Sequence, residues 1–251
     1  MPYRKEPLVN NEIYHVVTRR IGDELLFRDI NDYYRGIFSV YEFNNANSVN
    51  ISKRRQEIQA IKKKFRKQIS LGRVSPISPI IIPDERDKLV ELLAFCFMPN
   101  HIHLLVRQLK NNGISMYMKK MGGGYAGYFK EKYNIKRKGY FFQDRFNSVH
   151  IKNDNQLRVV FVYIHVNPIS LIEPKWKEIG IKNPEKTIKF LEEEYKWSSY
   201  QDYIGKPNFT SVTEREFILK LMGGEQGCKN AIEDWIRYKG KIKEFPEISL
   251  E

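Results

Sequence analysis

The sequence predicts an α+β fold in which helices cover a β-sheet, and three patterns support this class. β-branched and aromatic residues form a strand-like run over residues 13–18. Two apolar runs of strand length, residues 89–98 and 101–107, are separated only by Pro99-Asn100, a pair that favours a turn. Segments with apolar residues at a spacing of three or four, typical of helices, lie before and after these runs. Because the paired runs are almost continuously apolar, we expect two central strands covered by helices.

Composition favours a globular protein with a polyanionic partner. The 251 residues, 41% of them hydrophobic, can form one large domain or one domain with an appendage. The formal net charge of +13 indicates a polyanionic partner, and nucleic acid is favoured over a membrane surface. The alternative is a generally basic soluble protein. Two cysteines are too few for a disulfide framework or a cysteine-based zinc site. The sequence shows neither a signal core nor a membrane-spanning apolar run, so we expect a cytoplasmic protein.

The segment after the first strand predicts two helices. The first is capped by Asp29 or Asn31 and keeps its apolar residues at helical spacing as far as Tyr41. The second is the most basic part of the chain, and its apolar residues also recur every three or four positions. Its cationic face either follows a phosphate backbone or is simply solvated. The cations that would contact phosphates are Lys53, Arg54, Arg55, Lys62, Lys63 and Lys64.

The part of the chain after the strand pair predicts a helix, a strand and a second helix. The first helix covers residues 115–133, and the glycines at 122–124 indicate a break or close packing against the sheet rather than an anion-binding nest. A strand is expected over residues 140–151. The second helix spans residues 153–167, because the residue before a proline avoids the helical conformation. Residues 213–239 are expected to form a helical appendage, with a second DNA-binding element as the alternative.

Two histidines of the second apolar run provide the first chemical signal. The side chains of His101 and His103 leave the same face of a strand, because the strand period is two residues. Their ring nitrogens are then close enough to share one cation. The His-x-His spacing alone is not specific, since such pairs also occur in packing and at surfaces.

A tyrosine and an asparagine on the last of these helices provide the second signal. Tyr163 and Asn167 are one turn apart and share a face, whereas His165 points away from both. If they meet the His pair across a cleft, two imidazoles and one amide oxygen surround a divalent cation. This ligand mixture permits Mg²⁺ or Mn²⁺. Spacing alone does not select one of the 15 tyrosines, and a half-buried aromatic anchor is the alternative role.

Six short elements follow one another along nearly the whole chain. They are Tyr14-His15-Val16 with Thr18-Arg19, Met98-Pro99-Asn100-His101-Ile102-His103-Leu104-Leu105, Gly124-Tyr125 with Tyr128-Phe129 and Lys132-Tyr133, Phe142-Gln143-Asp144-Arg145-Phe146, Tyr163-Ile164-His165-Val166-Asn167-Pro168 and Trp197-Ser198-Ser199-Tyr200. In this order they resemble the single-tyrosine HUH transposases, specifically the REP-associated tyrosine transposase-like branch with its transposase IS200-like domain.

The resemblance implies the architecture. It implies a ferredoxin-like catalytic core over residues 1–172, an antiparallel sheet with helices packed on it. A basic insertion occupies about residues 45–85, since short members of the family connect the first helix and second strand more directly. Residues 173–251 would form a mostly helical C-terminal extension packed on the core.

The resemblance also implies the chemistry. His101 and His103 would bind Mg²⁺ or Mn²⁺, with Asn167 as a third ligand where nearby insertion-sequence transposases have glutamine. Tyr163 would be the nucleophile that forms a 5′-phosphotyrosine link. The expected substrate is single-stranded DNA beside a hairpin, either REP-like or an inverted repeat, in the prokaryotic nucleoid. A monomer is expected, with a dimer as the alternative.

Three further residues are candidates for DNA contacts. Arg145 is the leading one, although a salt bridge with Asp144 is its alternative role, and Gln143 and Arg19 accompany it. Two other functions remain open at this point. One is a domesticated regulator that binds hairpin DNA without cutting it, and the other is a His-based zinc hydrolase.

Overall fold

A computed structural model describes residues 7–75, 77, 82–136, 139–143 and 146–241. Arg145 and Asp144 lie outside the described residues. The strands are β1 (Ile13–Arg19), β2 (Val90–Met98), β3 (His101–Gln108) and β4 (Asn147–Ile151). The helices are α1 (Ile30–Glu42), α2 (Ile51–Ser70), α3 (Gly113–Lys132), α4 (Asp154–Val166), α5 (Trp176–Ile179), α6 (Pro184–Lys189), α7 (Tyr200–Tyr203), α8 (Glu216–Met222) and α9 (Gly224–Lys241).

The four strands form one antiparallel sheet in the order β2-β3-β1-β4. With α1 between β1 and β2 and α3 between β3 and β4, this is the βαββαβ arrangement of a ferredoxin-like core. The predicted fold class is therefore confirmed. β1 pairs with β3 so that the Cα of Val17 is opposite that of His103, and that of Arg19 is opposite that of His101.

Helices cover both faces of the sheet. α1 and α3 pack on the face that carries Val16 and Leu104, while α4 and the C-terminal helices pack on the face that carries Leu105. Because side chains alternate along β3, His101 and His103 share the face of Leu105 and point toward α4. None of the helices in the described ranges is long and apolar enough to cross a membrane.

β2 is an edge strand, so the prediction that both strands of the pair are central is wrong for β2. β2 is nevertheless buried, because the C-terminal segment covers its free edge. The backbone N–H of Phe97 donates to the carbonyl oxygen of Trp197 at 2.9 Å, and the N–H of Ser199 donates to that of Phe95 at 3.0 Å. Segments far apart in sequence thus bury the unpaired edge, which the local pattern does not reveal.

The helix starts follow the predicted capping. The Asp29 carboxylate accepts the backbone N–H groups of Asn31 and Asp32 at the start of α1. α4 begins after Asn153, whose side chain accepts the N–H of Gln156 at 2.9 Å, and it ends at Val166. The predicted strand over residues 140–151 is longer than β4, which begins at Asn147, and before it Phe142 forms only an isolated bridge with Arg20.

The three glycines do not break α3, which continues through them. A Cβ added at Gly124 would lie 2.2 Å from the ring of Phe43, which follows α1. Close packing is therefore the role of Gly124, but against the end of α1 rather than against the sheet. The expected kink is absent from this helix.

The basic segment forms the predicted helix α2, but its apolar stripe is not buried. No residue of α2 is buried, and Ile58, Ile61 and Phe65 are each half-exposed. Near its start, the Arg54 guanidinium pairs with Glu42 of α1 at 3.2 Å. α2 therefore contacts the core only near its start, through Ile51, and exposes most of its cations to solvent.

Candidate catalytic site

The structure places His101 and His103 side by side on β3. Their ring centroids are 4.8 Å apart, and the ring planes are nearly perpendicular. His103 is fully buried, while His101 is half-buried at the beginning of the strand. The same-face arrangement expected from the strand period is therefore present.

Each of these imidazoles has its Nδ1 atom engaged by the protein. The Nδ1–H of His101 donates to Oδ1 of Asn100 at 2.6 Å. Nδ1 of His103 lies 3.0 Å from Nε2 of His15, and both rings are buried. When His103 is the donor of this bond, its Nε2 carries a lone pair, which is the form that binds metals. Nε2 of His103 is buried and has no hydrogen-bond partner in the described part of the chain.

Burial keeps both imidazoles neutral. It lowers the pKa of His101 to about 4, and the charges of Arg19 and Lys177 act in the same direction. Burial also lowers the pKa of His103 well below its ordinary value, together with His101 and His15. At neutral pH both rings are therefore neutral, as metal ligation requires.

Tyr163 approaches the histidines from α4. Its ring stands edge-on to His103, with centroids 5.7 Å apart, and edge-on to His15 at 5.8 Å. One turn later, Nδ2 of Asn167 donates to the carbonyl oxygen of Tyr163 at 2.8 Å. This bond leaves Oδ1 as the atom of the amide that can coordinate a cation.

The residues fit a divalent cation held by few protein ligands. In the described ranges, no three His, Cys, Asp or Glu side chains are placed to hold one metal ion. His15 therefore does not complete a three-imidazole site. Nε2 of His103, without a partner in the described residues, and the neighbouring ring of His101 would provide two nitrogens, and the amide of Asn167 on α4 is the expected source of one oxygen. This set suits Mn²⁺ or Mg²⁺, which keep open positions for water or phosphate oxygens.

The remaining predicted contacts are spread over the surface. Arg19 lies opposite His101 in the β1–β3 register, and its carbonyl oxygen accepts the backbone N–H of Gln143 at 2.8 Å. The six α2 cations, which the sequence also selected, stand on a separate projection: Lys53, Arg54, Arg55, Lys62, Lys63 and Lys64. Arg145 lies outside the described residues, so its predicted role stays a prediction.

Sequence reasoning missed three residues of the site. His15 precedes Arg19 by four positions on β1, so alternation alone places both on one face. The register that sets His15 against His103 is a long-range property and has no local signal. Asn100 was assigned only to the turn, and Lys177 reaches the site from the C-terminal segment.

Comparison with known proteins identifies a matching family model and a similar solved structure. The model of the family described as transposase IS200-like matches residues 45–167, which include His101, His103, Tyr163 and Asn167. A solved structure of a REP-associated tyrosine transposase bound to a REP hairpin is similar to this chain, with 12% sequence identity and a TM-score of 0.46. The similarity covers 86% of this chain and 96% of that chain. The search of curated proteins finds no match.

Proposed function

Because this chain belongs to the transposase IS200-like family, we propose that it cleaves and joins DNA strands through a covalent bond to Tyr163. The observation that carries the proposal is the edge-on approach of Tyr163 to His103, a neutral imidazole whose buried Nε2 has no hydrogen-bond partner in the described part of the chain. A tyrosine that served only as a packing anchor would not require such a nitrogen beside it.

In the proposed reaction, the phenolic oxygen of Tyr163 attacks the phosphorus of the scissile phosphate. A P–O bond to Tyr163 forms, the bond to O3′ breaks, and the phenolic proton leaves. The products are a 5′-phosphotyrosyl link and a free 3′-hydroxyl. Attack of a 3′-hydroxyl on this link reverses the reaction and joins strands without ATP, because the phosphoester bond is conserved.

The imidazoles and Asn167 would hold the divalent cation. Mg²⁺ or Mn²⁺ bound there would neutralise and orient a non-bridging oxygen of the phosphate. Asn100 accepts the Nδ1–H of His101, and in the tautomer in which His15 accepts the Nδ1–H of His103, both rings would present an Nε2 lone pair to the cation.

The proposed substrate is single-stranded DNA beside a hairpin. Tyr163 is half-buried on a packed helix, so a phosphate in a regular duplex is difficult to reach, whereas a single strand can bend into the cleft. The hairpin follows from the resemblance of the six sequence elements. Arg19, Gln143 and Arg145 are the proposed contacts near the site. We propose that the chain acts as a monomer at the nucleoid, with the catalytic domain ending at residue 172.

The test is the formation of a denaturation-resistant adduct. The protein is incubated with hairpin-bearing single-stranded DNA and Mn²⁺, and the product is separated on a denaturing gel. We expect an adduct with the wild type and with Tyr238→Phe, an exposed tyrosine on α9, and none with Tyr163→Phe. An adduct that survives Tyr163→Phe contradicts the proposal. DNA binding without an adduct in Mg²⁺ or Mn²⁺ would instead favour a regulator that does not cut.

A further inference from the structure

A groove of about 670 Å³ opens on the face of the sheet opposite Tyr163. Helix α3 forms its floor, and residues 139–143 with Phe146 form a wall. Thr18 of β1 lines one side. Of its lining residues, the proposed function uses only Gln143 as a DNA contact, and the groove also contains part of the glycine run that the sequence displays.

The floor combines small residues with lysines at its two ends. Lys119, Gly123, Ala126 and Lys130 follow at spacings of three or four, so they share one face of α3. The two lysines are eleven residues apart, which is about 16 Å along a helix. A Cβ added at Gly123 would meet nothing within 4 Å, so the middle of the groove is open space.

The two lysines at the ends have no acidic partner among the described residues. Within the described chain neither Lys119 nor Lys130 makes an ion pair, and Nζ of Lys130 donates to the carbonyl oxygen of Gly139 at 3.1 Å. By contrast, Lys132 on the same helix pairs with Asp29 and Asp32 at 2.7 Å. None of the described residues that line the groove is acidic. The groove therefore offers positive charge to an anionic ligand.

The wall presents aromatic rings. Tyr140 is 75% exposed, which is the largest exposure among the described tyrosines and phenylalanines, and Phe142 and Phe146 are half-buried. Planar rings beside cations are the features with which proteins bind unstacked bases, because every base has a face that stacks. Double-stranded DNA, with its bases already stacked, would use the lysines alone.

We propose that this groove binds an unstacked segment of single-stranded DNA, with bases on Tyr140 and Phe142 and phosphates at Lys119 and Lys130. The inference rests on the proposed function, because the bound segment belongs to the strand that Tyr163 cleaves. Thr18 in the groove directly precedes Arg19, which lies opposite His101. A DNA single strand that passes around this end of the β-sheet can therefore contact both faces of the sheet.

Charge provides the first test. Binding of fluorescein-labelled single-stranded DNA is followed by anisotropy in EDTA, at several salt concentrations. We expect the double variant Lys119→Gln/Lys130→Gln to lower the slope of log Kd against log salt by about 1.4, since each single-strand phosphate contact contributes about 0.7. The matched control is Lys186→Gln/Lys189→Gln, which removes the same charge from α6 and should leave the slope unchanged.

Shape provides the second test. Gly123→Leu fills the open space, and because leucine favours helix more than glycine, Tm should not fall. We expect Kd for single-stranded DNA to rise about tenfold, the effect of one lost base–aromatic stack. The control is Gly127→Leu, since a Cβ at Gly127 also meets nothing within 4 Å and this glycine does not line the groove. Photo-crosslinking of DNA with 5-iodouracil should label Tyr140.

The outcomes separate the two proposals. The groove assignment would be overturned if Lys119→Gln/Lys130→Gln kept the wild-type salt slope and Gly123→Leu kept the wild-type Kd. It would also be overturned if duplex DNA of the same length competed for the protein as well as single-stranded DNA does. If the wild type forms no covalent adduct, only the proposed reaction is overturned, because the binding measurements in EDTA do not require cleavage.

Discussion

The regions around His103 and His165 each contain a fully buried imidazole with a lowered pKa, but they use the ring nitrogens differently. The Nδ1–H of His165 donates to the carbonyl oxygen of Phe161 at 2.8 Å, and its Nε2 accepts the hydroxyl of Ser199 at 2.8 Å. Nε2 of His103 has no hydrogen-bond partner in the described chain. Burial and pKa thus do not distinguish the two histidines, whereas their hydrogen bonds do: both ring nitrogens of His165 are engaged, and Nε2 of His103 is the one proposed to bind a metal.

The largest effect is expected for His103→Gln. We expect adduct formation in Mn²⁺ to fall at least about 100-fold, because a proposed ligand is lost. The free energy of unfolding should fall by about 1–2 kcal/mol, less than for His165→Ala, because no bond to Nε2 is broken and only the bond of Nδ1 to His15 is lost. Single-turnover rates and urea unfolding measure the two quantities. A variant that is fully active would remove His103 from the metal site.

His165→Ala should show the opposite behaviour. The change opens a cavity and removes the two hydrogen bonds of the imidazole, to the Ser199 hydroxyl and the Phe161 carbonyl, so we expect the free energy of unfolding to fall by about 3 kcal/mol. The adduct should still form at low temperature, where the variant is folded. An unchanged free energy of unfolding in urea would show that the hydrogen bonds of His165 contribute little to stability.

Variants of His15 test whether this residue sets the tautomer of His103. In His15→Phe the acceptor for Nδ1–H of His103 is lost, and we expect Mn²⁺ affinity to fall about 10- to 100-fold. His15→Gln retains a carbonyl acceptor and should recover part of this loss. Calorimetry measures the affinity, and ¹⁵N NMR of the metal-free protein reports the proton position on His103. Wild-type affinity in a folded His15→Phe variant contradicts the role.

A smaller and gradual effect is expected from acid. Burial lowers the pKa of His165 to about 3, below its ordinary 6.5. Between these values the unfolded chain binds a proton that the folded chain does not, so the stability is complete above pH 6.5 and is lost as pH falls. The slope is up to about 1.4 kcal/mol per pH unit. Urea unfolding of the wild type should therefore depend more steeply on pH than that of His165→Gln.

The smallest effect is expected on α2, none of whose residues is buried. Replacing Lys62, Lys63 and Lys64 by glutamine should weaken the salt dependence of hairpin binding, because fewer phosphates are neutralised. Stability should not change, since these side chains are exposed. An unchanged salt slope in anisotropy would show that the α2 face is merely solvated.

Local periodicity explains which parts of the site the sequence could predict. His101 and His103 share a face because they lie two apart on a strand, and Tyr163 with Asn167 because they lie one turn apart on a helix. The partnership of His15 with His103 depends on the β1–β3 register, which no local pattern sets. The same limit explains the wrong prediction for β2. Its apolar run is typical of a central strand, but it is an edge strand whose free side is covered by the C-terminal segment.

The seam between β2 and the C-terminal segment has a consequence for synthesis on the ribosome. Ser199 joins the seam to α4 through His165, and α4 carries Tyr163. While the last third of the chain is still being translated, the edge of β2 is bare and α4 lacks this support. We expect nascent or prematurely terminated chains to be inactive, so that a protein proposed to cut DNA would gain that capacity only when its translation is complete.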